Sequence, residues 1–255
     1  MTAPTLTGAG SPTRKGPKFA LIIPSTNTSV EREFHRLRPQ DCSWHTGRIM
    51  INAVALDSAD AFGRFRENLN AALPSALETV MTAQPDYVVM GMSAETFWGG
   101  VAGNAEFETR VRALTGLEVT TGATAAGRAL QAFGAKKIGV VTPYQPVGDE
   151  QVVAYFTELG FEVAAIHGLK SASATSIADE TPGAIRAAFL AVDGPDVDAL
   201  IQCGTNLEAV AVAAELEREL GKPVIAINVA TVWHALRANG IDDRIVGHGS
   251  LLKRF

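Results

Sequence analysis

The sequence predicts an α/β protein of two pseudo-symmetric lobes, each a short parallel sheet flanked by helices, with an active site in the cleft between them. Apolar runs of strand length alternate with longer helical patterns, which is typical of parallel sheets. The order of these elements then occurs twice along the 255-residue chain. Two copies of one β/α unit are too few for a solenoid, so two facing lobes are expected.

The first copy begins at "KFALII", an apolar run that predicts a strand buried on both faces. A polar turn follows it, and a helix is expected to begin at Asn27 or Thr28. A longer helix is predicted at 59–83, and a later one ends near Ala132, where Gly134 closes it. The strands of this copy are predicted at residues 18–23, 45–55, 86–92 and 118–123.

The second copy matches the first in three stretches that occur in the same order. "KKIGVVTPY" corresponds to "PKFALIIPST", and "VDALIQCGTNLEA" corresponds to "PDYVVMGMSAETF". "KPVIAINVATVWHALRANG" corresponds to "LEVTTGATAAGRALQAFG". The predicted organisation is a disordered segment at 1–16, a first lobe at 17–123 on which residues 241–255 pack back, and a second lobe at 124–240.

The composition argues against several classes of function. A formal net charge of −5 provides no broad basic surface for nucleic acid. No apolar run approaches the roughly 20 residues that a membrane-spanning helix needs, so no membrane partner is expected. The two cysteines fit neither a disulfide scaffold nor a zinc site, so a cytoplasmic location is expected. "GVAGNAEF" (residues 100–107) is interpreted as a glycine-bearing loop that lacks nucleotide-binding spacing. The sequence leaves open whether the chain forms a homo-oligomer.

Polar turns follow four of the predicted strands and indicate where a ligand binds. In parallel sheets, ligands bind beyond the carboxyl ends of the strands. Each turn also precedes a helical pattern, and the free N–H groups and the dipole at a helix N-terminus favour an anion. A carboxylate-binding cleft between the lobes is therefore expected. The turns carry Ser25–Asn27, Met92–Ser93, Thr142–Tyr144 and Cys203–Asn206.

Cys203 ends an apolar strand pattern and precedes an amphipathic helical pattern at 208–220. A helix N-terminus lowers the pKa of a thiol, which would let Cys203 act as nucleophile, base or proton donor. The alternative is a buried cysteine that packs as a small apolar residue. The anion-binding turn around Cys203 favours the reactive interpretation. Cys42 lies in a loop away from any strand end, and a structural role is expected for it.

Other polar residues at the strand ends are candidates for binding an anion, and each has an alternative role. The Tyr144 hydroxyl can donate to a carboxylate or a developing enolate, although the side chain can instead cover the interface between the lobes. Asn27 can cap the helix that follows it, contact the ligand, or do both. The same ambiguity holds for Ser93 and Thr205.

Several of these stretches resemble the aspartate/glutamate racemase superfamily. They are "PSTNTSVE", "VTPY" and "QCGTNLEAV" with the later "GKPVIAINVATVWHALRANG". Within the superfamily they are similar to the branch that holds maleate cis–trans isomerases and arylmalonate decarboxylases. The resemblance implies two pseudo-symmetric α/β lobes around a cleft, with no metal and no organic cofactor.

The resemblance also implies roles for the sulfur-containing residues. Typical members have one cysteine in each lobe, on either side of the substrate, and Cys203 stands at the second-lobe position. The first-lobe position falls at the end of "DYVVMGMS", where this chain has Met92. A thioether cannot act as nucleophile, acid or base, so two-cysteine chemistry is disfavoured. The decarboxylase pattern also lacks the first cysteine and keeps the second.

The function that this resemblance favours is decarboxylation of a small, malonate-type dicarboxylate, with the resulting enediolate protonated by Cys203. One alternative is a maleate cis–trans isomerase, and another is a non-catalytic protein that binds a small carboxylate. The residues expected to hold the substrate or its oxyanion are Asn27, Ser93, Tyr144, Gly204 and Thr205. The expected pocket walls are Met92, Thr26 and Asn206, with Phe97 and Trp98 as further apolar candidates.

Overall fold

The computed structural model describes residues 16–52 and 55–255 of the chain. Except for Gly16, the segment predicted to be disordered lies outside the described residues. The strands form two parallel sheets of four strands each, in the orders β2-β1-β3-β4 and β6-β5-β7-β8. Within the described part of the chain, no helix has the length and hydropathy to span a membrane.

The first half of the chain contains β1 to β4 and α1 to α5. Its strands are Lys18–Pro24 (β1), Ser43–Ile49 (β2), Tyr87–Met90 (β3) and Val119–Thr120 (β4). Its helices are Val30–Arg36 (α1), Ala59–Met81 (α2), Ala94–Phe97 (α3), Gly100–Thr115 (α4) and Gly122–Ala132 (α5).

The second half follows the same strand order. Its strands are Lys137–Thr142 (β5), Glu162–Gly168 (β6), Ala199–Gln202 (β7) and Val224–Ala226 (β8). Its helices are Pro146–Glu158 (α6), Pro182–Ala191 (α7), Val210–Leu220 (α8), Ile227–Ala238 (α9) and Leu251–Arg254 (α10).

The apolar runs form the inner strands because both of their faces are covered. Every residue of β3, β5 and β7 is buried except Lys137, whereas β6, at a sheet edge, alternates between exposed and half-buried positions. In both sheets the first strand pairs in parallel with the second and third, and the third pairs with the fourth. This equivalence confirms the predicted fold class of two parallel sheets flanked by helices.

The last helix after each sheet joins the two halves. α5 follows β4, α9 follows β8, and the two helices pack against each other. α9 also contacts α1 and β4 of the first half. As a result, the carboxyl ends of the two sheets are held close together. The division into lobes at 17–123 and 124–240 stays a prediction.

Two predictions about local structure differ from the structure. Residues 100–107 belong to α4, where Gly99 in the left-handed conformation precedes the first turn. The second strand is shorter than predicted and ends at Ile49. Arg237 of α9 donates to carbonyls in residues 241–255, including that of Phe255, and the packing of this segment on the first lobe stays a prediction.

Candidate active site

A cavity of about 50 Å³ lies between the two sheets, beyond the carboxyl ends of β1, β3, β5 and β7. The turns after these four strands all contribute to its lining, as expected from their position. The predicted binding and wall residues are all brought together around it: Thr26, Asn27, Met92, Ser93, Tyr144, Gly204, Thr205 and Asn206. Their individual roles stay predictions.

Two buried hydroxyl groups from different halves meet in this cavity. The Ser93 and Tyr144 oxygens lie 2.9 Å apart and share a hydrogen bond, and Ser93 Oγ also accepts the Thr205 N–H at 3.1 Å. Burial raises the pKa of the Tyr144 phenol, so this group is neutral. The two hydroxyls carry two protons and their shared bond uses one, so the other proton can be donated to a ligand.

Backbone N–H groups add further donors. Ser93, Gly204 and Asn206 belong to residues that line the cavity, and their backbone N–H groups donate no hydrogen bond to any residue of the described chain. Three unpartnered N–H groups beside a neutral hydroxyl pair form a cluster of donors with no built-in acceptor. Such a cluster suits a carboxylate or an enediolate oxygen.

Gly204 is required by the shape of the turn after β7. Its φ is +136°, a conformation that residues with a side chain rarely adopt. A Cβ at this position would lie 2.4 Å from Pro143 Cδ. The glycine therefore permits close packing of the turns that follow β5 and β7.

Asn27 acts as a helix cap in the structure. Its Oδ1 accepts the N–H groups of Ser29 and Val30 at 3.1 and 3.0 Å, at the start of α1. Its Nδ2 donates to Thr205 Oγ1 at 3.3 Å, and that hydroxyl donates to the Gly91 carbonyl at 3.0 Å. Asn27 and Thr205 thus bind the two halves together, and direct contact of either with a ligand stays a prediction.

Cys203 is completely buried at the end of β7, where its N–H donates to the Val141 carbonyl at 2.8 Å. The prediction that it lies at a helix N-terminus is wrong, since an irregular turn follows and α8 begins only at Val210. Burial raises the pKa of the thiol well above its ordinary value, and Asp149 raises it further. The thiol is therefore neutral, whereas the predicted helix N-terminus would have lowered its pKa.

Cys203 stands directly behind the cavity wall. Among the described residues, the cavity lining includes Gly204 but not Cys203 itself. Cys42 precedes β2, so it lies at the amino end of the first sheet, whereas the cavity is at the carboxyl end. The geometry therefore places one thiol near the cavity.

One side of the cavity is strongly apolar. α2 provides much of this wall, and Met92 joins it. The sequence pattern shows that α2 has an apolar face, but it does not distinguish core residues from cavity residues on that face. Apart from Met92, these wall residues were not predicted, and they include Leu56, Phe62, Phe65, Leu69, Ala174 and Ile177.

Phe97 and Trp98 do not form the wall that was predicted for them. Phe97 is fully buried and packs against the rings of Tyr155 and Phe156. Trp98 stacks on Phe62, with ring centroids 5.5 Å apart, and so supports the wall from outside. Their position after β3 was correct, but α3 turns their side chains away from the cavity.

Glu95 is the charged residue that lines the described cavity. Arg66 donates to its carboxylate at 2.7 and 3.1 Å, and Asn70 donates at 2.9 Å. The Arg66 guanidinium also lies 3.8 Å from the centre of the Trp98 ring. The Glu95 charge is therefore neutralised, and no Lys, Arg or His side chain belongs to the lining within the described chain.

Comparison with known proteins places these observations in a family context. The chain matches the sequence profile described as Amdase, arylmalonate decarboxylase, over residues 21–252. A maleate isomerase of Pseudomonas putida is 27% identical over 249 residues, which cover 92% of this chain and 96% of that protein. An arylmalonate decarboxylase of Bordetella bronchiseptica is 27% identical over 229 residues, which cover 88% of this chain and 91% of that protein.

A solved structure has the same fold. It is a maleate cis–trans isomerase of Nocardia farcinica, in a cysteine-to-serine variant with a covalently bound succinylcysteine intermediate. Its TM-score is 0.85 at 24% identity, over 94% of this chain and 99% of that chain. The similarity extends over both sheets and therefore over both sides of the cavity.

Proposed function

Because this chain belongs to the arylmalonate decarboxylase family, we propose that it is a cofactor-independent, cysteine-dependent enzyme that decarboxylates a small malonate-type dicarboxylate. Its relatives are decarboxylases and cis–trans isomerases, and the chain is an enzyme of that kind. The alternative of a non-catalytic binding protein is therefore not pursued. The proposal concerns which of these two reactions it performs, and on what class of substrate.

In the proposed reaction, one substrate carboxylate binds the donor cluster of Ser93, Tyr144 and Gly204. The other faces the apolar wall, where a charged carboxylate is poorly solvated and neutral CO2 is not penalised. The bond from the α-carbon to this carboxylate breaks, CO2 leaves, and the electron pair remains as an enediolate. The donor cluster stabilises the negative charge on the enediolate oxygens.

Cys203 completes the reaction by giving its proton to the α-carbon. Because the thiol lies beside the cavity and not in its described lining, this step requires the turn 203–206 to shift when the substrate binds. The product is a monocarboxylate, and the thiolate regains a proton from solvent, so the net reaction consumes one proton and releases one CO2. The raised pKa of the Cys203 thiol supports this role, because the group carries its proton at neutral pH. A thiol with this pKa is a better proton donor than nucleophile.

The observation that carries the proposal is the asymmetry of the cavity. Its unpartnered donors belong to the turns around Ser93 and Gly204, whereas α2 contributes apolar side chains and the described lining has no cationic side chain. A substrate that keeps both carboxylates would need donors for both. A substrate that loses one carboxylate as CO2 fits a single donor cluster beside an apolar wall.

Maleate cis–trans isomerisation is the second candidate. It is favoured by the TM-score of 0.85 with the Nocardia isomerase and by 27% identity to the Pseudomonas isomerase. The succinylcysteine in the Nocardia variant is formed on a cysteine other than the one replaced by serine. This chain has two cysteines, and Cys42 lies at the far end of its sheet. Isomerisation would therefore need Cys203 as its nucleophile.

The two reactions differ in their products, so one experiment separates them. The purified protein is incubated in D2O with phenylmalonate, methylmalonate, maleate, and D- and L-aspartate, and each mixture is followed by proton NMR. We expect loss of a malonate and one deuteron at the α-carbon of the product. Fumarate formed from maleate would support isomerisation, and absence of malonate turnover would contradict the proposed reaction.

A further inference from the structure

A buried carboxylate outside the cavity is connected to the turn after β7. Glu33, on α1, is 5% exposed and lies between the two halves of the molecule. Its Oε1 accepts the N–H of Val210, the first residue of α8, at 3.2 Å. Its Oε2 accepts Nδ2 of Asn228, on α9, at 2.6 Å. The proposed reaction gives this carboxylate no role.

Asn228 extends the connection to the cavity. The same Nδ2 that donates to Glu33 also donates to the Thr205 carbonyl at 2.9 Å. The Thr205 N–H in turn donates to Ser93 Oγ, within the donor cluster. A continuous path of hydrogen bonds therefore runs from Glu33 through Asn228 and Thr205 to Ser93.

The orientation of the Asn228 amide depends on the charge of Glu33. Both carboxylate oxygens of Glu33 accept hydrogen bonds from N–H groups. A proton added to either oxygen would therefore face the hydrogen of an N–H group, and the two donors would repel each other. Turning the Asn228 amide over would relieve this conflict, but it would bring Oδ1 against the Thr205 carbonyl. Asn228 Oδ1 has no hydrogen-bond partner in the described chain, so the nitrogen side alone fixes the amide.

We propose that Glu33 is a positioning residue which, when ionised, orients Asn228 and thereby holds the turn 203–206 in the geometry of the donor cluster. Protonation of Glu33 releases the Thr205 carbonyl and loosens this turn. The effect on catalysis rests on the proposed function. The effect on the turn itself does not.

The surroundings of Glu33 allow this change near neutral pH. Burial raises the pKa of Glu33 to about 7, against the lowering effects of Asn228, the Val210 N–H, Arg32 and Arg36. The N-terminus of α8 also favours the anion. Both forms of the side chain are thus populated over an accessible pH range.

Amide hydrogen exchange tests the effect on the turn. Protection factors of the Thr205 and Leu207 amides are measured at about pH 6 and about pH 8, after correction for the intrinsic exchange rate. We expect about tenfold greater protection at the higher pH in the wild type, and no such difference in Glu33→Gln. Glu78→Gln, an exposed glutamate on α2, is the matched control and should behave like the wild type.

A second variant covers the case in which Glu33→Gln does not fold. Asn228→Ala keeps Glu33 but removes its connection to Thr205, so the pH-dependent protection should disappear here too. Circular dichroism establishes that each variant is folded. A wild type without the rise in protection, or a folded variant at either position that keeps it, would overturn the proposal.

The same variants separate this inference from the proposed function. With a substrate that is turned over, kcat should rise about tenfold between about pH 6 and about pH 8 in the wild type and stay flat in Glu33→Gln. If no substrate is turned over, the proposed function fails, and the exchange measurement alone decides the role of Glu33.

Discussion

The turn after β3 and the turn after β7 occupy equivalent places in the two sheets, but their chemistry differs. The first, Gly91–Ser93, brings a thioether and a hydroxyl to the cavity. The second, Cys203–Asn206, combines a buried neutral thiol with two unpartnered N–H groups. A symmetric scaffold thus carries a thiol on only one of the two equivalent turns. The proposed decarboxylation, which needs a single thiol, accords with this asymmetry.

The two turns also differ in the hydrogen bonds that hold them in place. The Gly91 N–H donates to Ile22, within its own sheet. Asn206, in contrast, is held from the first half, where the Thr28 N–H donates to its Oδ1 at 2.9 Å and Ser29 Oγ donates to its carbonyl at 2.8 Å. The turn that carries the thiol is therefore held from both halves of the molecule, by Thr28 and Ser29 of the first and by Asn228 of the second.

The largest effect is expected from removing the thiol. Cys203→Ala should lower kcat by at least about 10³-fold, because the enediolate loses its proton donor while the donor cluster remains. Cys42→Ala, the matched control, removes the other buried cysteine and should keep near wild-type kcat. Steady-state kinetics with the substrate found by NMR measures both. A Cys203→Ala rate within tenfold of the wild type would remove this thiol from the mechanism.

A smaller loss is expected from the hydroxyl pair. Ser93→Ala should lower kcat by about 10²-fold, since it removes a donor to the enediolate and the acceptor for the Thr205 N–H. Tyr144→Phe should cost a similar amount, and the double variant should cost less than the product of the two, because the hydroxyls share one bond. Independent effects of the two substitutions would show that the hydroxyls do not act as a unit.

Ionisation of Glu33, which helps to hold the second turn in place, should lower the free energy of unfolding at high pH. The pKa of Glu33 is about 7 in the folded chain against an ordinary value of 4.5. Its contribution to stability is therefore fully present below about pH 4.5 and is lost as pH rises through 7. The loss can reach about 3 kcal/mol.

Urea denaturation of the wild type and Glu33→Gln at about pH 5 and about pH 8 measures this cost. The wild type should lose more of its unfolding free energy than the variant over this interval. Asp149, whose pKa burial raises to about 6, contributes equally to both proteins and cancels in the comparison. Equal losses in the two proteins would mean that Glu33 titrates as an ordinary exposed carboxyl. A larger loss in the wild type would show that ionisation of Glu33 favours local order at the expense of overall stability.

Much of this architecture is predictable from sequence because it depends on local patterns. The buried strands are apolar runs, and the repeated order of elements fixes two equivalent sheets. The rule that ligands bind at the carboxyl ends of parallel strands then selects the correct turns. The positions of Ser93, Tyr144 and Gly204 at the cavity follow from this rule alone.

What the sequence did not predict depends on contacts between distant residues. The Cys203 thiol was expected to have a lowered pKa, but the irregular turn up to Val210 separates it from α8 and burial dominates. The apolar wall from α2 is hidden among other apolar positions on the same helix face. Glu33 stands near the start of α1, where acidic residues are common, and its burial arises only when α1 meets α8 and α9.

The smallest of these effects is expected when the turn after β3 is given a thiol like that of the turn after β7. Met92→Cys places a thiol on the wall that faces the cavity from the first half, while Met92→Leu is the apolar control. With a prochiral malonate that carries two different α-substituents, the wild type and Met92→Leu should give one enantiomer, since Cys203 protonates one face. Chiral chromatography of the product measures this.

Met92→Cys should lower the enantiomeric purity while changing kcat by only about threefold, because the other apolar side chains of the wall remain. A second proton donor on the opposite wall would reach the other face of the planar enediolate. If the product stays a single enantiomer, the thiol introduced after β3 does not reach the α-carbon. The two turns would then be equivalent in their place in the fold but not in their distance from the reacting atom.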